Sequence, residues 1–346
     1  MQSKLKKLTK YQFFWPLMVL LLIILINGII SGGSFFQINI VDGHLYGRLI
    51  DILRNGSKLM ILATGMTMVL ATGGTDISVG SVMAISGAIA CCIIDGRLLP
   101  SAGGSVAVAV TLALLAGLAC GIWNGFLVAK VKIQPIVATM ILMVAGRGIA
   151  QLVTQGKIVT INSAGYYYIN GGYILGLPFP LYIVAFVVLI TLLFVKKSAF
   201  GLFVESIGCN STASKFTGIK VDNIKWAIYA FCGLMAALAG LIESAGIKAA
   251  DCNNCGLMIE LDGILAVAIG GTSLAGGRFS IPASLIGALV VQSITTTVLA
   301  LGIAPEITSV FKAIVVVIIC LIQSKEFKEM LTKRFAGKKG KAVAQA

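Results

Sequence analysis

In a chain that is 58% apolar, the polar side chains lying inside apolar runs are the first to weigh for chemistry. They are Asn124, Gln134, Arg147, Gln151, Asp262, Gln292 and Lys312, with Asp76 at the start of one run and Glu260 and Glu306 near the ends of others. Each is costly in hydrocarbon, so each is expected to face other helices or a watery passage. Arg147 and Gln151 are four apart, hence on one helix face, and Gly121 and Gly125 flank Asn124. Amides, a guanidinium and carboxylates, joined by ring faces from Trp123 or Tyr166, are the groups that hold a neutral polyhydroxylated solute. For any one of them an interhelical hydrogen bond is the plainer reading. Asp76, Asn124, Arg147, Gln151, Glu260 and Asp262 are the translocation-path candidates.

Other chemistries lack their residues. There is no G-x-x-x-x-G-K-[ST] to cradle nucleotide phosphates, and neither G-x-S-x-G nor H-E-x-x-H for hydrolysis. Neither a catalytic residue nor a cofactor is expected. Cys91, Cys92, Cys120, Cys232 and Cys320 fall in apolar runs, where cysteine acts as a small hydrophobe. Cys252 and Cys255 form one C-x-x-C, but with no second pair and a single histidine, His44, no metal site is expected. A disulfide between them stays open.

The elements that must position these groups follow from composition. Charged residues are only 12%, about half of what a soluble domain carries, and mean hydropathy is +0.99. Runs such as PLMVLLLIILINGII do not alternate, which excludes a β-barrel. The chain is therefore expected to be an all-α membrane protein, a single transmembrane domain over 1–346. About ten spans are expected, at 11–31, 57–72, 76–95, 105–129, 135–154, 181–196, 226–246, 259–275, 279–300 and 305–324. The first continues too long and lacks the small-residue cleavage site of a secretory signal. Placing the N-terminus inside puts nineteen lysines and arginines in the inner segments and six in the outer ones. Both basic ends, 1–10 and 325–346, and the loop 196–225 then lie in the cytoplasm. The +14 net charge is accounted for without nucleic acid.

That loop is the long polar interruption of the second half, with five lysines. Asn210 is expected to cap a short helix over Ser211 to Thr217, and Gly218 to end it in the left-handed conformation. So short a helix needs something packed on it. The loop therefore reads as a handle for a partner protein. Gly117, Gly121 and Gly125 repeat every four residues and present a bare stripe for close helix approach, a device repeated at Ala236/Gly240 and Ala283/Gly287. Two glycine-rich breaks, ATGGTDISVGS (71–81) and AIGGTSLAGGRFS (268–280), share A-x-G-G-T; they read either as discontinuous helices beside a pathway or as tight turns. Thr75 is expected to cap the helix after the first. From the residues alone the reading stops at a helical transporter or channel. An ion-coupled carrier stays open, with Asp262 the one good mid-span carboxylate.

Four stretches carry a resemblance: GMTMVLATGGTDISVGSVMAISG (65–87), KIQPIVATMILMVAGRGIAQLV (132–153), SIGCNSTASKFTGIKV (206–221) and ELDGILAVAIGGTSLAGGRFS (260–280). The chain resembles the permease subunits of bacterial ABC sugar importers of the ribose and galactose type, which share ancestry with branched-chain amino-acid permeases. VDGHLYGRLIDIL (41–53), GKIVTINS (156–163) and ADCNNCGLMIELD (250–262) resemble the galactofuranose-type permease more than the ribose one. The resemblance implies a type II-like importer fold and a paired permease in the bacterial inner membrane. It further implies ABC ATPase subunits and a periplasmic or lipid-anchored sugar-binding protein as partners, with a monosaccharide as substrate. It also makes 196–225 the ATPase-coupling loop, with Glu205, Gly208, Asn210, Ala213, Gly218 and Ile219 as its coupling residues.

Overall fold

The computed structural model describes residues 13–302 except 32, 42 and 103, and beyond these only 307, 310, 312–314 and 317. The basic ends, Glu306 and most of the span expected at 305–324 lie outside the described residues. The chain divides into two compact units, 1–293 and 294–346. In the second, the described residues continue a helix to Ala300, and the scattered later positions are helical.

The first unit is built from helices α1 (Phe14–Ile30), α2 (Arg48–Ala71), α3 (Val79–Ile94), α4 (Val106–Gly125), α5 (Pro135–Thr154) and α6 (Ala164–Gly171). They are followed by α7 (Phe179–Lys197), α8 (Phe200–Cys209), α9 (Ser211–Phe216), α10 (Val221–Ile247) and α11 (Ile259–Ile269), and by α12 (Ile281–Ala300), which runs on into the second unit. Among the described residues strands form only three short antiparallel pairs, and the fold is all-α. One pair joins Val159–Thr160 to Ala249–Ala250 and ties the connection after α5 to the one after α10. Among the described residues five helices are long and apolar enough to cross a bilayer: α4 with its π-turn extension to Lys130, α5, α7, α10 and α12.

Three expectations change. The second helix begins at Arg48 and not near 57, so Arg48, Arg54 and Lys58 lie within it. The helix of the eighth expected span, α11, stops at Ile269, where Gly270 and Gly271 end it, so 270–280 is connecting chain. Thr75 caps nothing. Ser78 stands at the N-cap of α3, and the carboxylate of Asp76 accepts from the Ser78 amide (3.0 Å). An Asx side chain two residues before the amide competes well for it, because the ring it closes is local.

α10 is the hub of this unit, packed against α4, α2 and α3. The approach to α4 is at backbone distance. A Cβ at Gly125 would fall 2.6 Å from Trp226 Cδ1, and one at Gly121 2.9 Å from the Cα of Ala230. Gly117 packs on Ala237 and on the Gly233 carbonyl, 2.8 Å from where its Cβ would be. Farther along α10, Gly240 lies against Met83 and Ser86 of α3; Gly287 lies against Ala266 and Gly270 at α11. Without a hydrophobic drive between helices in lipid, such close contact supplies the association energy. Gly121→Leu inserts a side chain where the Tyr229 carbonyl already sits. The change is expected to cost more than the roughly 1–3 kcal/mol of ordinary overpacking, because backbone must move. Membrane-extracted variant should show a lower melting temperature and lower yield by size-exclusion; wild-type values for both would contradict the packing described.

Candidate functional site

The six translocation-path candidates fall into two groups. The first surrounds the break between α2 and α3. Asp76, 1% exposed, accepts from the hydroxyl of Ser78 (2.7 Å), and Ser78 in turn accepts from the side-chain amide of Asn124 on α4 (2.7 Å). Two further side chains hold the same non-helical segment. Tyr229 of α10 donates to the Thr75 carbonyl (3.1 Å), and the Ile77 amide donates to Thr139 of α5 (3.3 Å). Backbone leaves helical geometry here; α10 and α5 each meet one of its polar groups, as burial requires, and α4 reaches the segment through the Ser78 side chain. Asn124 Oδ1 is buried without a hydrogen-bond partner among the described residues.

The second group lies where α5 meets the connection between α10 and α11. The Arg147 guanidinium donates to the carbonyls of Cys252 (2.8 Å) and Cys255 (2.5 Å). Gln151, one turn on, donates to the Asn253 side chain (2.8 Å). The i, i+4 pair is thus a clamp on the turn 252–258. Glu260 is buried and reaches the start of α3, where a Cβ at Gly80 would lie 2.7 Å from its carboxylate. Asp262 is half-buried in the first turn of α11. The rings expected to join them do not. Tyr166 is fully buried, with its hydroxyl bonded to Ser244 (2.7 Å), and Trp123 is half-exposed on the flank of α4 beside Phe126. The signal for Tyr166 was ambiguous because a buried phenol needs only one polar partner to be content in a core.

The polar loop forms a third site. Asn210 ends α8 and begins α9, its side chain accepting from the amides of Thr212 (3.1 Å) and Ala213 (2.9 Å). At the other end the Ile219 amide donates to the Ser214 carbonyl (3.1 Å) and the Gly218 amide to that of Lys215 (3.0 Å), with φ of +86° at Gly218. This is the paired bonding of a Schellman stop. Ala213 is exposed, and Phe216 is 88% exposed, although it is the largest apolar side chain of α9. Beside it Lys215 pairs with Asp222 (3.0 Å), and a depression of about 330 Å³ opens among Lys130, Lys220 and Asn223. Glu205 lines a neighbouring groove of about 560 Å³ between α8 and the start of α12.

Residues 48–320 match the family described as the branched-chain amino acid transport system / permease component. The chain belongs to this permease family. The permease is 44% identical to the galactofuranose transporter permease protein YtfT of Escherichia coli (strain K12) over 328 residues, which cover 93% of this chain and 94% of that one. It is 38% identical to the fructose import permease protein FruF of Bifidobacterium longum (98% and 96% covered). It is 36% identical to the ribose import permease protein RbsC of Escherichia coli (strain K12) (90% and 93% covered). No solved structure matches the chain.

In the permease both thiols of the C-x-x-C are free. Cys252 donates to the Ala150 carbonyl (3.3 Å) and touches the Thr154 hydroxyl (3.5 Å). Burial pushes both thiols up, Cys255 well above the ordinary range. A thiolate is the reacting species, so both should be inert at neutral pH, whereas exposed Cys209 should react. The expected outcome is that native alkylation at pH 7.5, read by peptide mass, modifies Cys209 and spares Cys252 and Cys255. Arg147→Ala removes the clamp and should raise their alkylation rate about tenfold or more, since roughly 1.4 kcal/mol of lost local stability suffices. An unchanged rate would show that the turn is held by other contacts.

Proposed function

We propose that the permease is the membrane subunit of an ATP-driven importer that carries a monosaccharide across the bacterial cytoplasmic membrane. A hexose is the favoured cargo, with galactofuranose foremost because of the relative at 44% identity. The relatives named for fructose and ribose support the same substrate class. In this reading the whole chain is one permease domain of about ten spans in a type II-like fold. Both termini and the 196–225 loop face the cytoplasm, and the 251–258 turn faces outward. Its partners are a second permease, ABC ATPase subunits and a periplasmic or lipid-anchored sugar-binding protein, with lipid around the spans.

The observation that carries this reading is α9 itself: two capped turns, closed at both ends, presenting an exposed phenylalanine among lysines. A helix of that length does not persist alone. It is held ready for a partner surface. Glu205, Gly208, Asn210, Ala213, Gly218 and Ile219 shape and present it. Closure of the ATPase pair pushes α9, and rigid helix packing converts the push into opening on one face. Asp76, Asn124, Arg147, Gln151, Glu260 and Asp262 act along the path, the first pair at the α2–α3 break and the others around the 252–258 turn. Selection rests mainly with the binding protein, because cargo must bind the permease weakly enough to leave.

Gly218→Val tests the docking role. A Cβ at Gly218 meets nothing within 4 Å, so crowding is not the issue. The left-handed conformation costs an L-residue roughly 1–2 kcal/mol, more when β-branched, which unwinds the stop. Membrane levels should stay normal, ATPase co-purification should weaken severalfold and ATP-dependent uptake should be lost. Wild-type co-purification with wild-type uptake would remove the docking role.

A further inference from the structure

Three backbone segments distant in sequence meet at one point of the first unit. They are the last turn of α8, the break after α2 and the break before α12. The Gly277 amide donates to the carbonyl of Ala71, the last residue of α2 (2.9 Å). Gly208 packs on that bond: a Cβ there would overlap the Ala71 carbonyl and the Gly277 amide, and would lie 3.0 Å from Gly277 Cα. At Gly276 a Cβ would fall 2.9 Å from both the Gly208 carbonyl and the Gly73 amide. Gly276 and Gly277 have φ of +92° and +101°, where a side chain is strained whatever the space. No side chain separates the three segments, so none can give way by changing rotamer.

Gly208 is two residues from Asn210, the cap of α9. Resting on the docking role proposed above, we propose that Gly208, Gly276 and Gly277 form the junction that carries displacement of α9 into both glycine-rich breaks at once. The covalent routes from α9 lead back into α8 and on into α10. Through α8, the junction joins the chain just before the docking helix directly to the end of α2 and, through the second break, to α12. Backbone packed on backbone, with no rotamer to absorb motion, moves as a unit. A merely structural role predicts that damage here lowers the amount of assembled permease. The junction predicts something else: an assembled complex that hydrolyses ATP and moves little sugar.

Cys209 permits the test after folding is complete. It is exposed, and a Cβ at Gly277 would lie 3.4 Å from its sulfur, so a group attached there enters the seam. Purified permease is treated with benzyl methanethiosulfonate before the ATPase is added. Complete modification of Cys209 is verified by mass, and the complex is then assembled with ATPase and sugar-binding protein in liposomes. Three quantities are read: ATPase retained, ATP hydrolysed, and labelled sugar moved per ATP. Each is taken against Cys209→Ser treated identically. The adduct should leave retention and hydrolysis intact and cut sugar moved per ATP at least about fivefold, the low end of ordinary site-to-site coupling. Dithiothreitol should restore it.

An unchanged ratio in fully modified permease overturns the proposal. So does a loss of ATPase retention in step with transport, which would place the effect in docking alone. Gly208→Ala inserts a Cβ into the seam directly and should give the same uncoupled pattern. If that variant only lowers membrane abundance while the ratio stays wild type, Gly208 is a packing residue and the junction is refuted. An untreated wild-type complex that neither hydrolyses ATP nor moves sugar would instead fault the importer reading itself.

Discussion

The contact on which the rest depends is that between α4 and α10, two helices whose backbones touch because glycines face each other. Gly117 and Gly121 of α4 meet Gly233 of α10 without an intervening side chain, and Gly125 admits Trp226. Around that contact α10 sends side chains into several local networks of its unit. Trp226 donates to the Ile122 carbonyl (2.9 Å), Tyr229 to the Thr75 carbonyl, and Ser244 meets Tyr166. Asp222 pairs with Lys215 of α9, and Glu243 with Lys58 of α2 (3.5 Å). A shift of α10 along its axis by one small residue would misplace all of these together. That is why bulk at Gly121 is felt far beyond its own neighbours.

The polar groups inside the bundle obey a second constraint. Where chain departs from helix, its amides and carbonyls must find protein partners. The first break takes them from Asp76, Thr139 and Tyr229. The turn 252–258 takes two donors from Arg147. The second break uses Ala71 as acceptor for Gly277, which brings it against the first. Along the proposed path, Asp76 and Arg147 thus bond backbone, while Asn124 and Gln151 bond neighbouring side chains.

Much of this was legible in the sequence where the determinants are local. The Asn210 cap and the Gly218 stop each depend on bonds spanning at most five residues. The start of α5 follows from Pro135 at its first position, where a missing amide costs nothing. Glycine spacing on α4 told which face is bare, though not that Gly233 and Trp226 would meet it. What could not be read is set by distant chain. Arg147 and Gln151 share a face, but their partners lie about a hundred residues on and are mostly backbone carbonyls, which leave no residue-type signature. Thr75 was a plausible cap until Asp76 took the Ser78 amide. The two A-x-G-G-T breaks shared a pattern, yet only three-dimensional packing brings them together, at a third glycine that belongs to neither.

The central claim is that sugar moves through this chain only when a docked ATPase works α9. The most direct measurement is uptake of labelled sugars into liposomes holding the purified permease. It is made with and without the ATPase subunits, the sugar-binding protein and ATP. The account predicts accumulation of a monosaccharide against its gradient only when all of these are present. Accumulation by the permease alone under an ion gradient, or simple equilibration without ATP, would contradict it.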